Sequence, residues 1–162
     1  MHPIRENISR KNANRENKTV QVKLKKLDER AKLPTRGSEM AAGLDLYALD
    51  AATVEAGETV LVHTGIALAI PEGYAGFIYA RSGLATKRGL APANKVGVVD
   101  ADYRGEIMVA LHNHGNVAQT LDAGERVAQM VIAPFLAVEF SETDTLDDTA
   151  RASGGFGSTG KL

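Results

Sequence analysis

An aspartate at the end of an apolar run is where a protein can place a base. Asp100 stands there, after Gly97-Val98-Val99 and before the polar turn Ala101-Asp102-Tyr103-Arg104-Gly105-Glu106. A carboxylate so placed can take a proton from water or hold a metal-bound water. Turn propensity alone also explains an Asp-rich link between hairpin strands. Anion chemistry is suggested by Arg81-Ser82-Gly83-Leu84-Ala85 and by the stretch from Arg151 to Thr159. Glycine lets backbone N–H groups approach an anion closely, and arginine offers a planar donor fork. A nucleoside triphosphate, with about four negative charges and usually a Mg²⁺ ion, needs such groups. Neither stretch has the spacing of a Walker-type loop, and the first also reads as a plain turn after a strand. His112 and His114 share one side of a strand. No third ligand accompanies them, so a solvated or hydrogen-bonded pair is expected. His63 reads as a structural residue.

These groups must be held by short strands. Val20, Val22 and Leu24 alternate with polar residues, the period of a half-buried strand. GLDLYAL, TVLVHT, GIALAI, GYAGFIYA, GEIMVALHN and RVAQMVIAPF follow, with turn signals at residues 56–58, 71–73, 114–116 and 123–125. Many short strands at regular spacing predict an all-β barrel or sandwich. The one helix expected is a turn or two at Ser82–Arg88, too short for an alternating βαβ pattern.

A chain of 162 residues points to one domain with a core of its own. Absence of cysteine removes thiolate catalysis and Cys-based zinc sites, and fits a reducing compartment, so a cytoplasmic location is expected. A formal net charge of -1 suggests neither nucleic acid nor an anionic membrane as partner. No apolar run approaches the roughly 20 residues of a membrane helix. Residues 1–18 are polar and rich in Asn and Arg, and read as a disordered arm. Residues 19–140 form the expected β-barrel domain. Residues 141–162 begin with an acidic linker at Asp144, Asp147 and Asp148 and end in a Gly-, Ser- and Thr-rich tail. Phe156 is out of character there, since an apolar ring on a loose tail gains nothing until it meets a surface.

The chain resembles the dUTPase family at five segments in order. These are Ala42–Ala48, Arg81–Ala85, Gly97–Glu106 with its Asp-x-Asp-Tyr-Arg-Gly core, Gly124–Met130, and Arg151 with Gly154–Gly160. The likeness spans about residues 20–162. It implies a distorted, jelly-roll-like β-barrel assembled as a homotrimer, and hydrolysis of dUTP to dUMP and pyrophosphate. By that resemblance Asp100 is the general base that activates a water against the α-phosphorus. Arg81, Ser82, Gly83 and Gln129 hold the phosphates, with Arg81 and Gln129 counted beside Asp100 as catalytic. Tyr103 lies under the deoxyribose and fills the space of a 2′-OH. The hairpin Asn94–Asp100, including Val98 and Val99, reads uracil through its backbone, Asn94 adds its side-chain amide, and Met108 lines the pocket. A site that hydrogen-bonds the uracil edge rejects cytosine, because its own buried groups would go unpaired. Asp45 holds a water of the Mg²⁺ shell, the metal itself sitting mainly on the triphosphate. Arg151 reaches the γ-phosphate, and Phe156, with Gly157 and Ser158, closes over the base. The third and fifth segments at one site come from different chains. Lys95-Val96, after Asn94, departs from the turn of many relatives.

A dCTP deaminase shares the fold and an Arg-Ser segment, but generally lacks a tyrosine at the position of Tyr103 and lacks the Gly-Phe-Gly tail. A barrel that has lost catalysis and only binds is opposed by the intact Asp100 and tail.

Overall fold

The computed structural model describes residues 19–154. The arm at 1–18 and the tail residues Phe156, Gly157 and Ser158 lie outside the described residues. Eleven strands and one helix follow one another: β1 Lys23–Lys26, β2 Thr35–Arg36, β3 Leu44–Tyr47, β4 Ala52–Val54, β5 Thr59–Ala69, β6 Tyr74–Tyr79, α1 Ser82–Arg88, β7 Leu90–Pro92, β8 Gly97–Val99, β9 Glu106–Asn113, β10 Gln119–Leu121 and β11 Arg126–Pro134.

Three antiparallel sheets result. One has the order β1-β5-β9-β7, a second β2-β3-β11-β6-β8, and β10 pairs with β4 in a third. The two large sheets share one core. Val62, Ile66, Ile107, Val109 and Leu111 enter it from the first, and Leu46, Ile78, Val127 and Met130 from the second. β9 shows the governing periodicity most clearly. Its residues alternate between fully buried Ile107, Val109 and Leu111 and half-buried Glu106, Met108 and Ala110. One face thereby builds the core and leaves the other free to line a site.

The expected helix is present as α1. Gly89, at φ 67, ends it in the left-handed conformation, and Lys87 and Arg88 complement the carbonyl end. Arg88 also ties the helix to the β10 region through Gln119 Oε1 (3.0 Å), the Thr120 carbonyl and Glu125 (2.5 Å).

The runs TVLVHT and GIALAI are not two strands but one, β5. Gly65 between them, at φ 69, makes a bulge instead of a turn, and pairing with β9 resumes beyond it. Asn94–Asp100 is likewise not a hairpin. β7 pairs with β9, whereas β8 pairs with β6 in the other sheet, so the segment crosses between sheets. Lys95 takes φ 64 at that crossing, and the Val96 N–H donates to the Asn94 carbonyl at 2.7 Å. Pro92, which has no N–H to offer a ladder, sits on β7 at a sheet edge. After Pro134 the described residues contain no strand or helix.

Candidate active site

The residues singled out by sequence gather in two places. The first is a cavity of about 310 Å³ lined by Asn94, Val98, Val99, Asp100, Tyr103 and Met108, with Ile78 also in its wall. The crossing between sheets explains why they meet. β8 brings Asp100 to its end, and the turn to β9 swings Tyr103 and then Met108 back over the same hollow. Asp100 is exposed, and its carbonyl accepts from the Tyr103 N–H at 3.2 Å, closing the turn. The Tyr103 hydroxyl donates to the Glu106 carbonyl at 3.0 Å. Its ring lies so close to Gly105 that a Cβ there would stand 2.6 Å from the ring carbon bearing the hydroxyl. A side chain at position 105 would push the Tyr103 ring out of this place.

The second place is a cavity of about 510 Å³ lined by Gly43, Asp45, Arg81, Ser82, Gly83, Arg126 and Gln129. Arg81 is the N-cap of α1 and offers no side-chain cap, so the first-turn N–H groups keep no side-chain partner. A Cβ at Gly83 would meet nothing within 4 Å, so any side chain there would only fill the cavity. The Gln129 side chain lies against Gly43, where a Cβ would come within 2.5 Å of its Oε1, and its Nε2 donates to the Ala80 carbonyl at 2.9 Å. Asp45 is almost buried. Its Oδ1 accepts from Arg81 Nε at 2.8 Å and its Oδ2 from Arg126 Nη1 at 3.2 Å. Bonding through Nε leaves the terminal nitrogens of Arg81 free to face an anion.

Among the described residues no group of three or more His, Asp or Glu could hold a metal. His112 and His114 stack edge to face with ring centroids 4.4 Å apart, and His112 Nδ1 bonds Thr59. Asp45 spends one acceptor position per oxygen on the arginines and a carboxylate has about four. The donor set therefore fits a Mg²⁺ held mostly by phosphate oxygens, with a carboxylate on one of its waters.

The two cavities share no lining residue. Arg151 reaches neither, for its Nε donates to the Gly154 carbonyl at 2.8 Å within the tail. Two cavity residues escaped the sequence reading. In the sequence Arg126 is one residue of a strand and of the Gly124–Met130 segment; its ion pair with Asp45 and its place in the cavity put it with the anion-facing groups. Glu106 looked like the last polar residue of a turn, though its carboxylate is committed to His63 and Gly65.

An all-β fold with a carboxylate at one cavity and arginine, serine and glycine at another is of a class suited to an anionic ligand. A family model for dUTPase matches residues 29–160. A deoxyuridine 5'-triphosphate nucleotidohydrolase of Rickettsia bellii is 50% identical over 144 residues, 87% of this chain and 96% of that protein. One from Nautilia profundicola is 46% identical over 142 residues, 88% of this chain and all of that protein. A Staphylococcus bacteriophage 80alpha dUTPase variant solved with dUpNHpp superposes with a TM-score of 0.82 at 26% identity, over 88% of this chain and 100% of its own. The chain belongs to the dUTPase family.

Proposed function

We propose that the chain hydrolyses dUTP to dUMP and pyrophosphate, with Asp100 drawing a proton from the water that attacks the α-phosphorus. One observation carries the assignment of roles: Asp100, Tyr103, Asn94 and Met108 meet in one cavity, and Arg81, Ser82, Gly83 and Gln129 in another. The first suits a uracil and its deoxyribose, with Tyr103 beneath the sugar and Asn94 and the backbone of Val98 and Val99 at the base. The second suits a triphosphate. Arg81 and Gln129 offset the charge that grows on the phosphate oxygens as the α–β bond breaks. Asp45 keeps the Arg81 guanidinium aimed. Mg²⁺ bound on the triphosphate would neutralise part of its charge and hold the phosphates in register.

The working unit we infer is a homotrimer. Leu61, Leu136, Val138 and Phe140 are 51%, 88%, 68% and 96% exposed, apolar area that a partner copy would cover. A base cavity on one copy facing a phosphate cavity on the next would then make a whole site. The tail, with Arg151 at the γ-phosphate and Phe156, Gly157 and Ser158 over the base, would close it. The absence of cysteine suits a reducing compartment such as the cytoplasm, and among the described residues no helix is long and apolar enough to cross a membrane.

The test compares pyrophosphate release from dUTP with ammonia release from dCTP. Pyrophosphate from dUTP alone is expected. Ammonia from dCTP, without pyrophosphate from dUTP, would overturn the assignment in favour of a deaminase.

A further inference from the structure

Opposite the first residues of β9, strand β5 carries two residues too many. His63 stands across from Met108 and Ala67 across from Glu106, with the register shifting between them. A bulge of this kind leaves ladder groups without backbone partners. Side chains replace them here. The Glu106 carboxylate accepts from the Gly65 N–H at 2.7 Å with one oxygen and bonds His63 Nδ1 at 2.9 Å with the other, while the Thr64 hydroxyl donates to the Ile107 carbonyl. Gly65 is buried, so without Glu106 its N–H would be left unpaired away from water.

The same residue holds the tyrosine of the base-and-sugar cavity. The Glu106 backbone carbonyl receives the Tyr103 hydroxyl. At its other end Tyr103 is fixed by its N–H to the Asp100 carbonyl and by Arg104 Nη1 on its own carbonyl at 2.8 Å. The aromatic ring is thus stretched between a closed turn and one carbonyl. That carbonyl stands at the start of β9, where the backbone pairs opposite Ala67 and the carboxylate anchors the bulge beside it.

We propose that Glu106 is a positioning residue for sugar selection: by anchoring the β5 bulge with its carboxylate it fixes the carbonyl that holds the Tyr103 ring where a 2′-OH would lie. The inference rests on the reading of Tyr103 as the group that excludes ribose. Glu106 touches no reacting atom. A ring let loose by a fraction of an ångström would admit the 2′-OH while leaving Asp100 and the phosphate groups in place.

The experiment measures kcat/KM for dUTP and for UTP in the full-length enzyme and in Glu106→Ala, Glu106→Gln, Tyr103→Phe, Tyr103→Ala and the double variant Glu106→Ala with Tyr103→Phe. Glutamine retains an acceptor for Gly65 and a second polar atom for His63, so Glu106→Gln should keep the wild-type dUTP/UTP ratio. Glu106→Ala should lower it by about tenfold, within the range of residues coupled in one hydrogen-bonded network, mainly through a lower KM for UTP. The double variant should be no worse than the poorer single one, because both changes release the same ring. Should Glu106→Ala fail to fold, Glu106→Asp, too short to reach both partners, reads the same ratio. A general loss of packing would depress both substrates together and leave the ratio unmoved, which would overturn the proposal. So would additive losses in the double variant. If Tyr103→Ala itself leaves the ratio unchanged, the reading of Tyr103 fails and takes the proposal with it. A drop in Tyr103→Ala with none in Glu106→Ala sinks the proposal alone.

Discussion

Ile78 and Tyr79 are consecutive residues of β6, yet Ile78 lines the cavity of Asp100 and Tyr79 lines the cavity of Arg81. Successive side chains of a strand point to opposite faces, and no described residue lines both cavities. A single nucleotide held by both sets of residues within one chain would have to span two separate cavities. The proposed site shared between copies would bring one of each together.

Asp100→Asn should fold and assemble normally and lose turnover. The amide keeps the shape of the turn but takes no proton from water. Loss of a general base lowers kcat by about 10²–10⁴-fold, while affinity for dUTP, set by the other contacts, should shift far less. Single-turnover kinetics with a parallel binding titration checks this. Turnover close to wild type would move the base to another residue.

Tyr103→Ala should open room for a 2′-OH and lower the preference for dUTP over UTP. The ratio of kcat/KM for the two substrates is the readout, and an unchanged ratio would place sugar selection elsewhere.

Asp45→Asn replaces a charge that pairs with two arginines by an amide that cannot serve both. Charged hydrogen bonds of this kind contribute about 1–3 kcal/mol each, less where water screens them, and Arg126 is half exposed. A stability loss of about 1–2 kcal/mol in denaturant titration is expected, together with a lower kcat/KM as Arg81 loses its aim. If neither moves, Asp45 does not hold Arg81.

Glu106 gives the protein an acid-sensitive element. Burial pushes its carboxyl up, but bonds from His63 and Gly65 outweigh that and hold it below its ordinary value of 4.5. A carboxylate depressed in the folded state adds stability above its unfolded pKa and loses it as pH falls through the folded one. The melting-temperature advantage of the wild type over Glu106→Gln should therefore be full at neutral pH. It should begin to shrink as the pH falls below about 4.5. An advantage that persists at lower pH would mean the charge is not what stabilises.

Much of this was legible in the sequence, for definite reasons. The long strands announce themselves by alternation, and Ser82–Arg88 reads as a turn or two of helix, which Gly89 ends in the structure. Asp100, Tyr103 and Arg81 stand out because their types suit the chemistry. Strands of two or three residues, such as β2, β4 and β8, are too short for any period to show. Partner choice was not legible either, since nothing local sends Gly97–Val99 to β6 and Leu90–Pro92 to β9. The same blindness hid Glu106 and Arg126, whose roles depend on His63, Gly65 and Asp45, residues remote in the chain.

Mixed assemblies test the central claim directly: that dUTP is hydrolysed at a site joining Asp100 of one copy to Arg81 of another. One variant carries Asp100→Asn with Arg81 intact, the other Arg81→Ala with Asp100 intact, and each alone should be nearly inactive. After co-refolding at equal ratio, with trimers confirmed by light scattering, roughly six in eight rings are mixed and each mixed ring holds one site with both groups whole. Pyrophosphate release from dUTP should recover to roughly a quarter of the wild-type rate. If the mixed trimers form and no activity returns, Asp100 and Arg81 do not work across copies, and the account is wrong.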